Sequence, residues 1–202
     1  MFPLAEAAGV DASRRVLAAR ERVLAAGVGA LDVVPGLASL GVHFDPAATD
    51  ADALRAAVEA ALDGPGLGEP APSQPPPGGR THTLPTRFDG PDLGRVAAGA
   101  RLPEADAVEA FMKPVYTVGA VGFLPHFPYL LGLDPRLATP RLGSPRVRVP
   151  AGSVAIGNDQ AGVYPRESPG GWNLIGATDP GLLEEIQPGD AVRFEAPSGG
   201  FQ

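Results

Sequence analysis

The chain has 202 residues, of which 44% are apolar and 19% charged, with 27 Gly and 24 Pro. This length suits one large domain or two small ones with a genuine core. The formal net charge of −7 and a single lysine, Lys113, argue against binding nucleic acid or an anionic membrane through bulk electrostatics. The absence of cysteine excludes disulfides, zinc–thiolate sites and thiol catalysis.

The N-terminal stretch MFPLAEAAGVDASRR shows no basic leader followed by a long apolar region. No run approaches the roughly 18 uninterrupted apolar residues of a membrane span. We therefore expect a soluble, cytoplasmic protein.

The first half of the chain alternates helical and strand patterns. Apolar residues recur at helical spacing from Asp11 and stop at Gly27, which predicts an amphipathic helix. Between Leu37 and Phe44 apolar and polar residues alternate, which predicts a half-buried strand with His43 pointing away from the core.

A second helix and a connector follow. Thr49 and Asp52 resemble a capping box, and the helix they open should end at Gly64. The stretch 64–80 has too many Pro and Gly for regular structure and predicts an extended connector. The predicted segments are a small α/β domain (1–66), a Pro/Gly-rich linker (67–80) and a mainly β domain (81–202).

Beyond the connector, helical patterns give way to strand patterns. THTLPTRF predicts a strand, GPDLGRVAAGA a short helix opened by Pro91, and 103–112 a further helix with Pro103 in its first turn. From Val115 onward, short apolar runs are separated by Pro and Gly turns at intervals of about ten residues. This spacing favours an antiparallel barrel or sandwich.

No generic catalytic signature is present: there is no phosphate-binding loop, G-x-G-x-x-G, G-x-S-x-G or H-E-x-x-H motif. The histidines His43, His82 and His126 are not spaced as metal ligands on one helical face, so we predict no metal site. His126 lies among aromatic residues in GFLPHFPYL, where burial would leave an imidazole able to donate and accept protons. It is the candidate catalytic residue, and an ordinary pocket-wall histidine is the alternative.

Three arginines lie close together in TPRLGSPRVRVPAGS: Arg141, Arg146 and Arg148. Guanidinium groups suit the carboxylates and phosphates of acidic metabolites and ATP. On a strand, Arg146 and Arg148 would share one face. A solvated strand edge paired with the chain's acids explains the same spacing equally well.

A turn and a tryptophan follow in YPRESPGGW. Pro169 fixes one backbone angle, and Gly170 and Gly171 permit close approach of another chain or a ligand, so we expect a sharp turn. Trp172, beside Ser168, is either a core anchor or a pocket wall.

Several motifs in the second half occur together in one known family. They are GF-x-P-x-F-x-YL, PR-x-x-x-PR, VP-x-GSV, Q-x-G-[IV]-YP and SPGGW-x-x-IG, in order across residues 115–195. With these motifs the chain closely resembles the family of 5-oxoprolinase B subunits, also called allophanate hydrolase subunit 1. A weaker match through GPDLGRVA and VVPGLASLGVHFDP extends the resemblance over nearly the whole chain.

The resemblance implies an α+β fold, in which a small ferredoxin-like N-terminal domain precedes a cyclophilin-like antiparallel β-barrel. It also implies a hetero-oligomer with two further components of 5-oxoprolinase, the homologous cyclophilin-like C component and the A component, which together open 5-oxoproline to glutamate. The implied cofactor is ATP with Mg, held by this chain or mainly by its partners. The chain is expected to be inactive alone.

The resemblance also suggests roles for particular residues. We predict carboxylate or phosphate binding by Arg141 or Arg146, polar orientation of substrate by Gln160 and Ser168, and a catalytic role for His126. The residues predicted to shape the pocket are Phe123, Phe127, Tyr129, Tyr164, Gly170, Gly171 and Trp172.

The chain departs from the family pattern near the predicted pocket. His126 stands where a glycine is usual, Ala177 replaces a basic residue, and Phe111 replaces a histidine. Two other functions therefore remain as alternatives. One is inhibition of a sensor histidine kinase, as in relatives that resemble a sporulation kinase inhibitor, and the other is a carboxyltransferase-type module of a urea carboxylase or allophanate hydrolase system.

Overall fold

The computed structural model describes residues 1–63 and 79–197. The chain divides into two compact units, Met1–Pro76 and Pro77–Gln202. The described part of the first unit contains β1 (Phe2–Pro3), α1 (Val10–Ala26), β2 (Asp32–Pro35), β3 (Ser39–His43) and α2 (Ala51–Leu62). The described part of the second contains β4 (Thr81–Pro85), α3 (Leu93–Ala100), α4 (Glu104–Met112), β5 (Tyr116–Val121), β6 (Pro128–Leu131), β7 (Arg146–Val149), β8 (Ser153–Gly157), β9 (Gln160–Val163), β10 (Ser168–Gly170), β11 (Asn173–Ala177) and β12 (Ala191–Glu195), with short 3-10 helices at Pro135–Leu137 and Pro180–Leu183.

The N-terminal unit is a three-stranded antiparallel sheet, in the order β1-β3-β2, packed against two helices. Val16 and Val23 of α1 meet Leu40 of β3 in its core. As predicted, α1 ends where Gly27 adopts a left-handed conformation, with φ of 60°, and His43 is exposed. Periodicity therefore predicted α1 and the strand that contains β3, whereas β2 falls in a segment where no strand was predicted.

The start of α2 differs from the prediction. Its N-cap is Asp50, whose carboxylate accepts hydrogen bonds from the backbone N–H groups of Asp52 and Ala53 at 3.0 and 2.8 Å. The capping box opened by Thr49 is wrong, because Asp50 is the residue adjacent to the first helical turn. Gly64 lies outside the described residues, as does the predicted linker apart from its last two positions, 79 and 80.

The C-terminal unit is built on a seven-stranded sheet in the order β11-β8-β9-β6-β5-β12-β4. Its neighbouring strands are antiparallel except β12 and β4, which run parallel and so correct the wholly antiparallel expectation. These two strands lie far apart in sequence, so no hairpin dictates their direction. Beyond β4, Arg87 exchanges both backbone hydrogen bonds with Ala177 of β11, each at 2.9 Å. The two edges thus meet, and the sheet curls into a cyclophilin-like barrel.

The barrel core is apolar and rich in aromatic side chains. The Phe111 ring lies 4.9 Å from the Phe194 ring and 5.4 Å from the Tyr116 ring, measured between centroids. The Tyr116 hydroxyl donates a hydrogen bond to the Phe111 carbonyl at 2.7 Å, and burial raises the pKa of Tyr116 above its ordinary value. Phe111, which departs from the family pattern, is therefore a core residue.

Two strands of the C-terminal unit fall in segments where the sequence predicted none. β6 contains Tyr129, which was expected only to line a pocket. β10 takes the place of the expected sharp turn, and it pairs antiparallel with β7 through Ser168 opposite Val149 and Gly170 opposite Arg146. Strands of three or four residues are too short to show a clear alternating pattern in a sequence.

Candidate functional site

An open pocket of about 320 Å³ lies on the C-terminal unit, beside the ribbon formed by β7 and β10. Such concave, mainly apolar sites are typical of small-molecule binding. We call it the aromatic pocket, and it is lined by Phe123, Phe127, Tyr129, Arg141, Pro145, Tyr164, Pro169, Gly170, Gly171 and Trp172.

Phe127 is the centre of the pocket wall. Its ring is 1% exposed and lies 5.0 Å from the Tyr129 ring, 5.1 Å from Tyr164, 5.6 Å from Trp172 and 5.7 Å from Phe123, between centroids. Three of these four contacts are edge-to-face, the arrangement that ring quadrupoles favour. The wall is therefore a set of interlocked rings and not a loose apolar surface.

Glycines on the strands behind the wall allow this close packing. A Cβ on Gly157 would lie 2.5 Å from the Trp172 indole, and one on Gly162 would lie 2.9 Å from the Phe127 ring. A Cβ on Gly170 would collide with the Tyr164 hydroxyl. Gly170 is therefore closely approached by a side chain of the same unit, whereas approach of another chain or a ligand stays a prediction.

Arg141 supplies the positive charge of the aromatic pocket. Its guanidinium carbon lies 5.6 Å from the centroid of the Trp172 ring, within cation–π range. Among residues 1–63 and 79–197, no carboxylate lies within ion-pair distance of it. An exposed guanidinium held over an aromatic ring keeps its hydrogen-bond donors available for an anionic ligand.

Two phenols complete the polar groups of the pocket. Burial raises the pKa of Tyr129, and the nearby charge of Arg141 partly offsets this. Burial also raises the pKa of Tyr164, against the opposing effects of a hydrogen bond with the Trp172 backbone and of Arg141. Both hydroxyls therefore stay protonated at neutral pH and can donate hydrogen bonds.

Arg146 does not line the aromatic pocket. Its Nη2 lies 2.7 Å from Oδ1 of Asp92, and its Nη1 donates to the Trp172 carbonyl at 3.3 Å. Arg148, two residues along β7, pairs in solvent with Glu167 at 2.9 Å. The alternative interpretation, a solvated strand edge paired with acidic residues, therefore describes Arg148. Arg146 instead makes a partly buried structural ion pair.

The structure places His126 away from the aromatic pocket. His126 is exposed and has a φ of 66°, in a tight loop where the Gly122 N–H donates to the Phe127 carbonyl at 3.1 Å. The expected burial of His126 is wrong, because this left-handed backbone turns its side chain outward while Phe127 enters the core. Its catalytic role stays a prediction.

The other predicted polar residues also lie outside the pocket lining. Gln160 pairs with Gly157 at the β8–β9 hairpin, and the Ser168 hydroxyl donates to the Pro169 carbonyl at 3.2 Å. Pro145 and Pro169 line the pocket without having been predicted there, although their position beside the arginines and glycines favoured a shaped surface. The predicted residues that the pocket does bring together are Phe123, Phe127, Tyr129, Arg141, Tyr164, Gly170, Gly171 and Trp172.

The described residues contain no group of three or more His, Asp or Glu placed to hold a metal ion. No helix in residues 1–63 or 79–197 is long and apolar enough to cross a membrane.

Comparison with known proteins identifies the family. The sequence model of the carboxyltransferase domain, subdomains C and D, matches residues 1–187. The chain belongs to this family. It is 52% identical over 112 residues to the B subunit of 5-oxoprolinase from Escherichia coli O157:H7, a match that covers 52% of this chain and 51% of that protein. The resemblance based on the sequence motifs is thus confirmed, although the chain spans only about half the length of the curated 5-oxoprolinase B subunits it matches.

Solved structures share the fold. The protein TTHA0988 matches with a TM-score of 0.79 at 35% identity, over 98% of this chain and 40% of that one. The Kluyveromyces lactis urea carboxylase matches with a TM-score of 0.73 at 18% identity, over 93% of this chain and 20% of that one. The α+β fold predicted from the resemblance is therefore confirmed.

Proposed function

We propose that this chain is the B component of a 5-oxoprolinase-type hydrolase, which opens 5-oxoproline to glutamate with ATP. Relatives named as B subunits of 5-oxoprolinase support the reaction. Within the structure, the observation that carries the proposal is the Arg141 guanidinium over the aromatic pocket, which has no ion-pair partner among the described residues. 5-Oxoproline is a small, flat lactam with a single carboxylate, and the pocket offers one cation beside a wall of rings.

Different residues of the pocket would bind different groups of such a ligand. Arg141 would bind the carboxylate through charge-assisted hydrogen bonds. The Phe123 ring, which is 66% exposed, would contact the lactam ring together with Trp172, and the protonated hydroxyls of Tyr129 and Tyr164 are donors for its carbonyl oxygen. This arrangement orients the lactam before reaction, which lowers the entropic part of the barrier.

The reaction explains why further components are needed. A lactam is a poor electrophile, so transfer of the γ-phosphoryl group from ATP to its carbonyl oxygen, with release of ADP, activates the carbonyl carbon. Water adds to that carbon, the C–N bond breaks as the ring nitrogen takes a proton, and a second water hydrolyses the resulting acyl phosphate to glutamate and phosphate. The aromatic pocket is open to solvent, whereas such chemistry needs a site that excludes bulk water. In our proposal the homologous C component covers the pocket, and the C and A components hold ATP and its Mg in the cytoplasm.

Trp172 provides a direct test of ligand binding, because it is the only tryptophan and lines the pocket. Titration with 5-oxoproline should change its fluorescence, and 2-pyrrolidinone, which lacks the carboxylate, should bind far more weakly. Arg141→Met removes a charge-assisted interaction of about 1.5–3 kcal/mol, so affinity should fall by roughly 10- to 150-fold. Arg148→Ala, which breaks an exposed pair on the same segment, is the matched control and should bind like the wild type.

Activity must be measured in the assembled complex. The cognate A and C components should release glutamate from 5-oxoproline and ATP only when this chain is added, and Arg141→Met should lower that rate. Assembly without turnover would show a different substrate. Failure to assemble would contradict the proposal and favour a regulatory protein such as a kinase inhibitor.

A second candidate is a carboxyltransferase module of a urea carboxylase system. The family description and the fold shared with the K. lactis enzyme favour it. This candidate predicts that the pocket binds urea, and that removing the Arg141 charge changes the affinity for urea little, because urea carries no charge. The same fluorescence titration therefore separates the two candidates.

A further inference from the structure

A partly buried ion pair holds the backbone from the Trp172 carbonyl to Leu174. Arg146 Nη2 lies 2.7 Å from Asp92 Oδ1, and Arg146 Nη1 donates to the carbonyl of Trp172 at 3.3 Å. The second carboxylate oxygen, Asp92 Oδ2, accepts from the N–H of Leu174 at 2.7 Å. The two side chains are 28% and 10% exposed, so the surrounding protein shields much of the pair.

The backbone of Asp92 adds to this attachment. Its N–H donates to the Leu174 carbonyl at 2.9 Å, so Asp92 contacts the 172–174 segment through both main chain and side chain. A shielded carboxylate is costly unless hydrogen bonds and an opposite charge satisfy it. Each charge of this ion pair is satisfied by the opposite charge and by backbone groups next to Trp172. The ion pair and that backbone segment therefore hold one another in place.

Other contacts hold the chain on either side of Trp172. Gly170 and Gly171 impose few restrictions on their own backbone angles, so this segment is held by the pairing of β10 with β7 and by the Leu142 N–H, which donates to the Gly171 carbonyl at 2.7 Å. On the other side of Trp172, the Asn173 amide donates to the carbonyls of Pro140 and Ile156 at 3.1 and 3.0 Å. Asn173 thus fixes the chain after the indole, whereas Arg146 holds the carbonyl of Trp172 itself.

We propose that Asp92 and Arg146 are positioning residues, which hold the Trp172 indole in the wall of the aromatic pocket and so set the surface over which Arg141 lies. Arg146 is then not a ligand-binding residue, although it belongs to the same PR-x-x-x-PR motif as Arg141. This positioning role deepens the proposed function. It rests on the proposed function in one respect, which is that the aromatic pocket is the ligand site. The orientation of Trp172 is independent of which ligand binds there.

The test uses Trp172 fluorescence in the full chain without ligand. Arg146→Ala and Asp92→Asn should shift its emission to longer wavelength and raise its quenching by acrylamide, because the indole is only 5% exposed in the wild type. Arg146→Lys should fall between the wild type and Arg146→Ala, since one ammonium pairs with Asp92 but does not reproduce the planar fork. The matched control is Arg148→Ala on the same strand, which should leave emission and quenching unchanged.

Far-UV circular dichroism and thermal melts establish that each variant is folded. If Arg146→Ala does not fold, Asp92→Asn and Arg146→Lys decide the question. Folded variants with the emission and quenching of the wild type would overturn the proposal. So would a loss of 5-oxoproline binding in Arg146→Ala with an unchanged tryptophan signal, because Arg146 would then contact the ligand. If the wild type itself does not bind 5-oxoproline, the proposed function fails while the fluorescence comparison still tests the positioning role.

Discussion

Gly157→Ala probes whether the aromatic pocket depends on a glycine behind its wall. Gly157 is buried on β8, and the Cβ of an alanine would lie 2.5 Å from two ring atoms of Trp172 and 2.8 Å from a third. Carbon atoms pack at about 3.5–4.0 Å, so the indole must move by roughly 1 Å or more. Overpacking of this kind costs about 1–3 kcal/mol. At about 2–4 °C per kcal/mol, the melting temperature should fall by roughly 2–12 °C.

The assay combines thermal unfolding with tryptophan emission. Gly157→Ala should melt earlier and shift the emission of Trp172, because the strain falls on the indole itself. Gly99→Ala is the control: Gly99 is exposed on α3 with no atom within 4 Å of an added Cβ, and alanine there should be neutral or stabilising by up to about 1 kcal/mol. A Gly157→Ala protein with the melting temperature and emission of the wild type would refute the reasoning.

Two further substitutions test features outside the pocket wall. His126→Gly relieves a left-handed backbone at a non-glycine residue and should raise the free energy of unfolding in urea by about 1 kcal/mol. If the variant loses turnover in the assembled complex despite this gain in stability, the catalytic role predicted for His126 is established. Tyr116→Phe removes the hydrogen bond to the Phe111 carbonyl and should cost about 1 kcal/mol at pH 7. Because burial raises the pKa of Tyr116, above about pH 10 the unfolded state releases this proton while the folded state retains it, so wild-type stability falls by up to about 1.4 kcal/mol per pH unit. Urea unfolding between about pH 8 and 11 should show a shallower fall for Tyr116→Phe, and equal slopes would contradict this explanation.

Local patterns were sufficient for much of the fold. The helix ending at Gly27 and the strand carrying Leu40 follow from periodicity and glycine placement, which depend only on neighbouring residues. The parallel pairing of β12 with β4 was not predictable in this way, because it joins segments more than one hundred positions apart. Periodicity alone did not distinguish a barrel from a sandwich. The order of the family motifs indicated the barrel.

The residues of the site were predicted less accurately than the fold, and His126 illustrates the physical reason. Aromatic neighbours suggested that His126 would be buried, yet burial depends on which side chains a loop turns inward. The left-handed angles at Phe123 and His126, with φ of 69° and 66°, leave both residues exposed and direct Phe127 into the core. Such angles are rare for non-glycine residues, so a sequence gives little warning of them.

The three clustered arginines show why spacing does not determine function. All three have the same guanidinium group, and they differ in the acidic side chain that lies near each of them in the folded protein. Glu167 reaches Arg148 in solvent, and Asp92, 54 positions before Arg146, reaches it behind the pocket. In the described part of the chain Arg141 has no such acid, so its charge is the one left for a ligand. Substituting these residues should therefore have three different effects: little change for Arg148, a displaced tryptophan for Arg146, and weaker anion binding over an undisturbed tryptophan environment for Arg141.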